Sequence, residues 1–176
     1  LASAERAGDG YTLRVAPTPV ERSSFLGQCD GWEMGIEIKS DLYGLMYVPS
    51  KLDSTKKYPV IDHIYPGPQA GSVGPRSFIP ARGDNQSLAE LGFIVVELDG
   101  MGTPWRSKAF HDFYYGNMGD NTIPDQVAGL KELGRRYGFI DIDKVGIWGH
   151  SGGGFATASA MFDFPDFFKV GISESG

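Results

Sequence analysis

The chain has 176 residues, 41% of them hydrophobic, with 11 Phe, 8 Tyr and 3 Trp, which suits a packed globular domain and excludes a disordered one. The net charge of -6 comes without a cluster of basic residues, which argues against a nucleic-acid partner. A single cysteine, Cys29, excludes an internal disulfide and a cysteine-rich metal site, and no run of eighteen apolar residues is present to form a transmembrane helix.

In chain order, residues 1–32 are poorly periodic and read as an irregular N-terminal segment or linker. Within them 11–15 suits a short strand, ended by Pro17 and Pro19. The opening Leu1-Ala2-Ser3 is not a signal peptide and lacks an initiator Met, which suggests a processed chain or a piece of a longer one. From residue 33 the pattern changes. Met34, Ile36 and Ile38 alternate with Gly35, Glu37 and Lys39 as a half-buried strand. Residues 42–48 follow as a second strand across a turn at Asp41, a hairpin or meander at a sheet edge. The next strand is 58–65. It ends at Pro66-Gly67-Pro68-Gln69-Ala70-Gly71, a loop stiffened by prolines and bent by glycines.

Residues 81–91 suit a short helix. Residues 93–98 are almost continuously apolar, as expected of an interior strand covered on both faces. A long connection, 105–121, carries five aromatics that would pin it to the body. A helix then begins at Thr122, with Asp125 three residues on in a capping-box spacing. Ile123, Val127, Leu130, Leu133 and Tyr137 form one helical face ending near Gly138. Residues 141–144 turn the chain into a short apolar strand, 145–148. After a glycine-rich stretch, 155–161 suits a helix and 168–172 a last strand. The alternation from residue 58 onward predicts right-handed crossovers and a mostly parallel sheet with flanking helices, an α/β architecture.

The chemistry sits where that apolar strand meets Gly149-His150-Ser151-Gly152-Gly153. This is the G-x-S-x-G pattern between a strand and a helix, the context of a nucleophile elbow. Ser151 must sit on a strained turn to project its hydroxyl above the sheet, and Gly149 and Gly153 let strand and helix approach closely. Ser151 is therefore the candidate nucleophile. The Gly152 amide is one candidate oxyanion donor. The Tyr65 phenol is a second, against the alternative of an aromatic that merely packs at a strand end.

Asp99 and Glu174 both end strands on the side where such sheets bind ligands, and a structural turn explains either one equally well. A serine needs a histidine base and a carboxylate to orient it, and in this fold both follow the serine. No histidine follows Ser151. His150 should diverge from the hydroxyl, His63 lies within a strand, and His111 lies in the aromatic connection. Asp163 and Asp166 follow the elbow too closely to be the acid. No phosphate loop or metal-ligand cluster is present, so no cofactor is expected.

Several motifs in register resemble the catalytic domain of the prolyl oligopeptidase family of serine peptidases, closest to its dipeptidyl peptidase IV-like and acylaminoacyl peptidase branches. They are Leu42 to Pro49 followed by 57–60, Tyr65-Pro66-Gly67-Pro68, Asp99-Gly100-Met101-Gly102-Thr103, the helix from Asp125-Gln126, and the 149–153 elbow. The resemblance implies an α/β-hydrolase fold over 33–176, incomplete at the C-terminus, ending before the triad Asp and His. It implies an acyl-enzyme on Ser151, Tyr65 as oxyanion donor, and a peptide or small ester as substrate. It also implies a C-terminal remainder and an N-terminal β-propeller in the same protein.

Two positions depart from the family pattern: Met101 replaces an Arg, and Gly152 stands where the dipeptidyl peptidase branch often has Tyr. A carboxylesterase or polysaccharide-ester hydrolase, and a non-catalytic module of the same fold, are the competing functions. The compartment is not legible.

Overall fold

The computed structural model describes residues 42–73, 83–119 and 122–176 in full, and the backbone of 4–7 and 10–15. Seven strands form one sheet: β1 (Ala4–Ala7), β2 (Gly10–Val15), β3 (Leu42–Tyr47), β4 (Tyr58–His63), β5 (Ile94–Asp99), β6 (Ile140–His150) and β7 (Phe168–Glu174). Four helices join them: α1 (Asn85–Glu90), α2 (Lys108–His111), α3 (Ile123–Arg136) and α4 (Gly152–Asp163). The spatial order is β1-β2-β3-β5-β4-β6-β7. The first three strands and β5 pair antiparallel. β5, β4, β6 and β7 run parallel. This is the mostly parallel sheet with flanking helices that the alternation from residue 58 predicts, in the α/β-hydrolase arrangement that the resemblance implies.

β5 is the most buried strand, with Ile94, Val95 and Val96 fully covered and Leu98 nearly so. Each such side chain contributes about 1.5–3 kcal/mol on burial, which keeps this run between β3 and β4 rather than at an edge. The larger core cluster joins one sheet face to α3 and α4, through Ile123, Val127, Leu130 and Leu133 on one side and Ala156 and Ala160 on the other. The stripe predicted for α3 is the face that is buried. On the opposite face Leu45, Tyr47, Val73 and Val95 pack with Ala89 of α1. There a groove of about 670 Å³ is lined by residues including Ile61, Leu88, Phe93 and Trp148. Val170 and Ile172 of the edge strand β7 border it and are largely exposed.

Several elements differ from expectation. β1 forms where the sequence has no periodicity, because an antiparallel partner, β2, supplies its hydrogen bonds. The strand at 34–38 and its hairpin with 42–48 lie outside the described residues. Residues 141–144 do not turn the chain: β6 runs through them from Ile140, because pairing with β4 resumes across an irregularity in the ladder. The connection at 105–121 contains α2, capped by the Ser107 side chain. The predicted capping box is absent. Thr122 is left-handed (φ 63°) and makes no side-chain cap bond, while the Asp125 carboxylate accepts from the Met101 amide at 2.7 Å. A buried amide in the 99–104 turn thus takes the carboxylate that local spacing assigned to the helix.

Candidate active site

The turn at Ser151 follows from its position between a buried strand and a helix that starts at once. Ser151 has φ 55° and ψ -117°, a conformation disfavoured for any residue with a Cβ. Its amide donates to the Glu174 carbonyl at 2.8 Å, and its carbonyl accepts from the Phe155 amide at 3.0 Å. Both main-chain groups are used, while the side chain does not cap α4. The hydroxyl is left exposed at the C-terminal ends of β6 and β7. The flanking glycines are required by space. A Cβ at Gly149 or at Gly153 would collide with the Ile64 carbonyl oxygen. The elbow is therefore seated directly on the end of β4.

Tyr65 follows that contact point. A Cβ at Gly152 would lie 4.0 Å from Tyr65 Cε2, in ordinary van der Waals contact, and meet nothing closer, so the phenol ring stands beside the first residue of α4. Tyr65 lies just beyond β4, which ends at His63 rather than at residue 65. The loop that carries it is tied at several points. The Tyr65 amide donates to Ser72 Oγ at 2.8 Å. The Val73 amide donates to Asp99 Oδ1 at 3.2 Å. The Tyr114 hydroxyl donates to the Pro66 carbonyl. His111 Nε2 lies 2.7 Å from the Pro68 carbonyl, and since a carbonyl only accepts, Nε2 carries the proton. Asp99 thus braces this loop, and two aromatic-connection residues clamp it.

The remaining site candidates are also placed. Glu174 ends β7, its carbonyl holding Ser151 and its carboxylate 3.6 Å from His150 Nδ1. Both side chains are more than half exposed. His63 Nδ1 lies 2.8 Å from Asn85 Oδ1 and 3.3 Å from Glu97 Oε1, with its ring stacked on Trp148 at 4.1 Å. All three histidines are thus engaged elsewhere, and none of them hydrogen-bonds to Ser151.

The sequence reading passed over Asp62. It lies in β4, fully buried, and neither carboxylate oxygen finds a partner among the described residues. Burial, with the Glu97 charge adding to it, pushes its carboxyl up to about 8. An acid two residues before Ile64 in an apolar strand was a visible signal of a buried charge. Ser72 and Gln69 gave no signal, since nothing in the loop's composition shows which side chain turns back to Tyr65, and Tyr114, expected only to pin its connection to the body, has its hydroxyl partner set by the fold.

Among the described residues no helix is long and apolar enough to cross a membrane, and no group of three or more His, Cys, Asp or Glu could hold a metal.

A family model described as the prolyl oligopeptidase family matches residues 81–176. Dipeptidyl peptidase 8 of Homo sapiens is 41% identical over 132 residues, covering 75% of this chain and 15% of that protein. Prolyl endopeptidase FAP of Mus musculus is 30% identical over 128 residues, covering 73% and 16%. The solved structure of Porphyromonas gingivalis dipeptidyl peptidase 4 superposes with a TM-score of 0.69 at 29% identity, covering 77% of this chain and 19% of that one. The chain therefore spans less than a fifth of each of these relatives.

Proposed function

The chain belongs to the prolyl oligopeptidase family, and on that premise we propose that it carries the nucleophile of a serine peptidase that cleaves short peptides through an acyl-enzyme. The observation that carries this reading is the strained turn at Ser151, with Tyr65 beside the Gly152 amide. Ser151 Oγ attacks the scissile carbonyl, and the Gly152 N–H and the Tyr65 hydroxyl donate to the oxygen as it becomes an oxyanion. The proton leaves Ser151 for a histidine oriented by a carboxylate, both supplied by polypeptide beyond residue 176. The amine leaves with that proton, and water then releases the acid. Asp99 and Glu174 act indirectly, by holding the Tyr65 loop and the elbow. The names of the relatives favour peptides over carboxylic or polysaccharide esters. The absence of a side chain at Gly152 leaves room beside Tyr65 for a larger acyl group.

The test is made on the full-length polypeptide that contains this sequence. A fluorophosphonate probe should label Ser151, and Ser151→Ala should abolish both labelling and hydrolysis of dipeptidyl anilides. Unchanged hydrolysis in that variant would sink the reading. Turnover of aryl esters with no detectable cleavage of any peptide anilide would transfer the assignment to an esterase.

A further inference from the structure

We infer that Gln69 is a positioning residue that fixes which way the Tyr65 hydroxyl donates. The inference rests on the proposed role of Tyr65 as an oxyanion donor. Gln69 Nε2 donates to the Tyr65 hydroxyl oxygen at 3.2 Å. The contact is built into the loop. The side chain folds back over Gly67, where a Cβ would meet Gln69 Oε1 at 2.9 Å and Tyr65 Cε1 at 3.0 Å. A Cβ at residue 67 would press on both the amide and the ring, so glycine there lets the two share that space without displacement. The loop itself is held by Ser72, Asp99, His111 and Tyr114, so the backbone that carries the Tyr65 ring does not need Gln69 to stay in place.

What Gln69 decides is the hydroxyl rotor. A phenol has one proton and lone pairs that accept. Gln69 occupies an acceptor direction and leaves the proton free to point at a substrate oxygen. Without the amide donor the proton turns to water or to another acceptor, and part of the pre-aimed donation is lost at the moment charge develops.

The sign of this effect depends on the chemistry of residue 69. Gln69→Leu removes the donor. Gln69→Glu replaces it with a carboxylate that can only accept and so captures the Tyr65 proton. On full-length enzyme, Gln69→Leu should lower kcat about 3- to 10-fold, the range of a single neutral hydrogen bond, with KM within about twofold. Gln69→Glu should lower kcat further. Gln69→Asn, too short to reach, should behave as Gln69→Leu does. In a Tyr65→Phe background, itself slower by about 10²–10³-fold, all three should have no additional effect.

The alternative outcomes separate the two claims. Loss of kcat in Tyr65→Phe with full activity in Gln69→Leu overturns the inference and leaves the oxyanion reading intact. So does an equal loss from Gln69→Leu in both backgrounds, since Gln69 would then act through something other than Tyr65. Full activity in Tyr65→Phe overturns the oxyanion reading itself.

Discussion

The Ser151 amide donates to the Glu174 carbonyl at 2.8 Å, which ties the strained turn to the end of the edge strand β7. That bond and the seat on Ile64 hold a non-glycine residue at φ 55° and ψ -117°. Such a conformation costs about 1–3 kcal/mol. Ser151→Gly should therefore stabilise the protein by about 1 kcal/mol, the relief exceeding the entropy cost of glycine. Urea denaturation of both proteins checks this, and fluorophosphonate labelling should vanish in the variant. A drop in the denaturation midpoint would mean the turn is not strained.

Asp62 gives a pH dependence of definite sign. Its carboxyl is pushed from the ordinary value of 3.8 up to about 8, chiefly by burial. Above about pH 4 the unfolded chain releases this proton and the folded chain keeps it. The stabilisation is full below the unfolded value and is lost as pH rises through the folded one. Stability should fall between about pH 4 and pH 8 by up to ~1.4 kcal/mol per pH unit from this group. Asp62→Asn should flatten that part of the profile. Chemical denaturation at pH 5, 6.5 and 8 is the measurement, and parallel profiles for the two proteins would refute the assignment.

Gly152 is open where Gly149 and Gly153 are closed. A Cβ there meets nothing nearer than Tyr65 Cε2 at 4.0 Å, so Gly152→Ala should leave the melting temperature essentially unchanged. Gly153→Ala, against the Ile64 carbonyl, should cost about 1–3 kcal/mol. Gly152→Tyr should fold and should fill the space beside Tyr65. It should lower kcat/KM for substrates with a bulky acyl side chain by about 10–200-fold relative to small ones. Equal losses on small and bulky substrates would show that residue 152 does not border the acyl site.

The parallel half of the fold and the elbow were legible in the sequence because both depend on local pattern. Continuous apolar runs at 93–98 and 145–148, a 3.6-residue stripe at 123–137, and glycines two places either side of Ser151 are signals carried by near neighbours. The tertiary structure decided what pairs with what. β5 lies between β3 and β4, out of chain order, since two strands can flank it only if later chain crosses back. Thr122 and Asp125 have the spacing of a cap, yet the carboxylate goes to Met101, because leaving that buried amide without a partner is costly. Likewise Asp99 could be a turn residue or a site residue until its partner, Val73, was placed 26 positions away. The sequence by itself determined most elements of the parallel half and the sharp turn at Ser151, which are short-range steric and hydrophobic facts. The bracing of the Tyr65 loop by Ser72, Gln69, His111 and Tyr114 was decided only by the fold, because irregular hydrogen bonds within a loop and between distant residues leave no periodic trace in the chain.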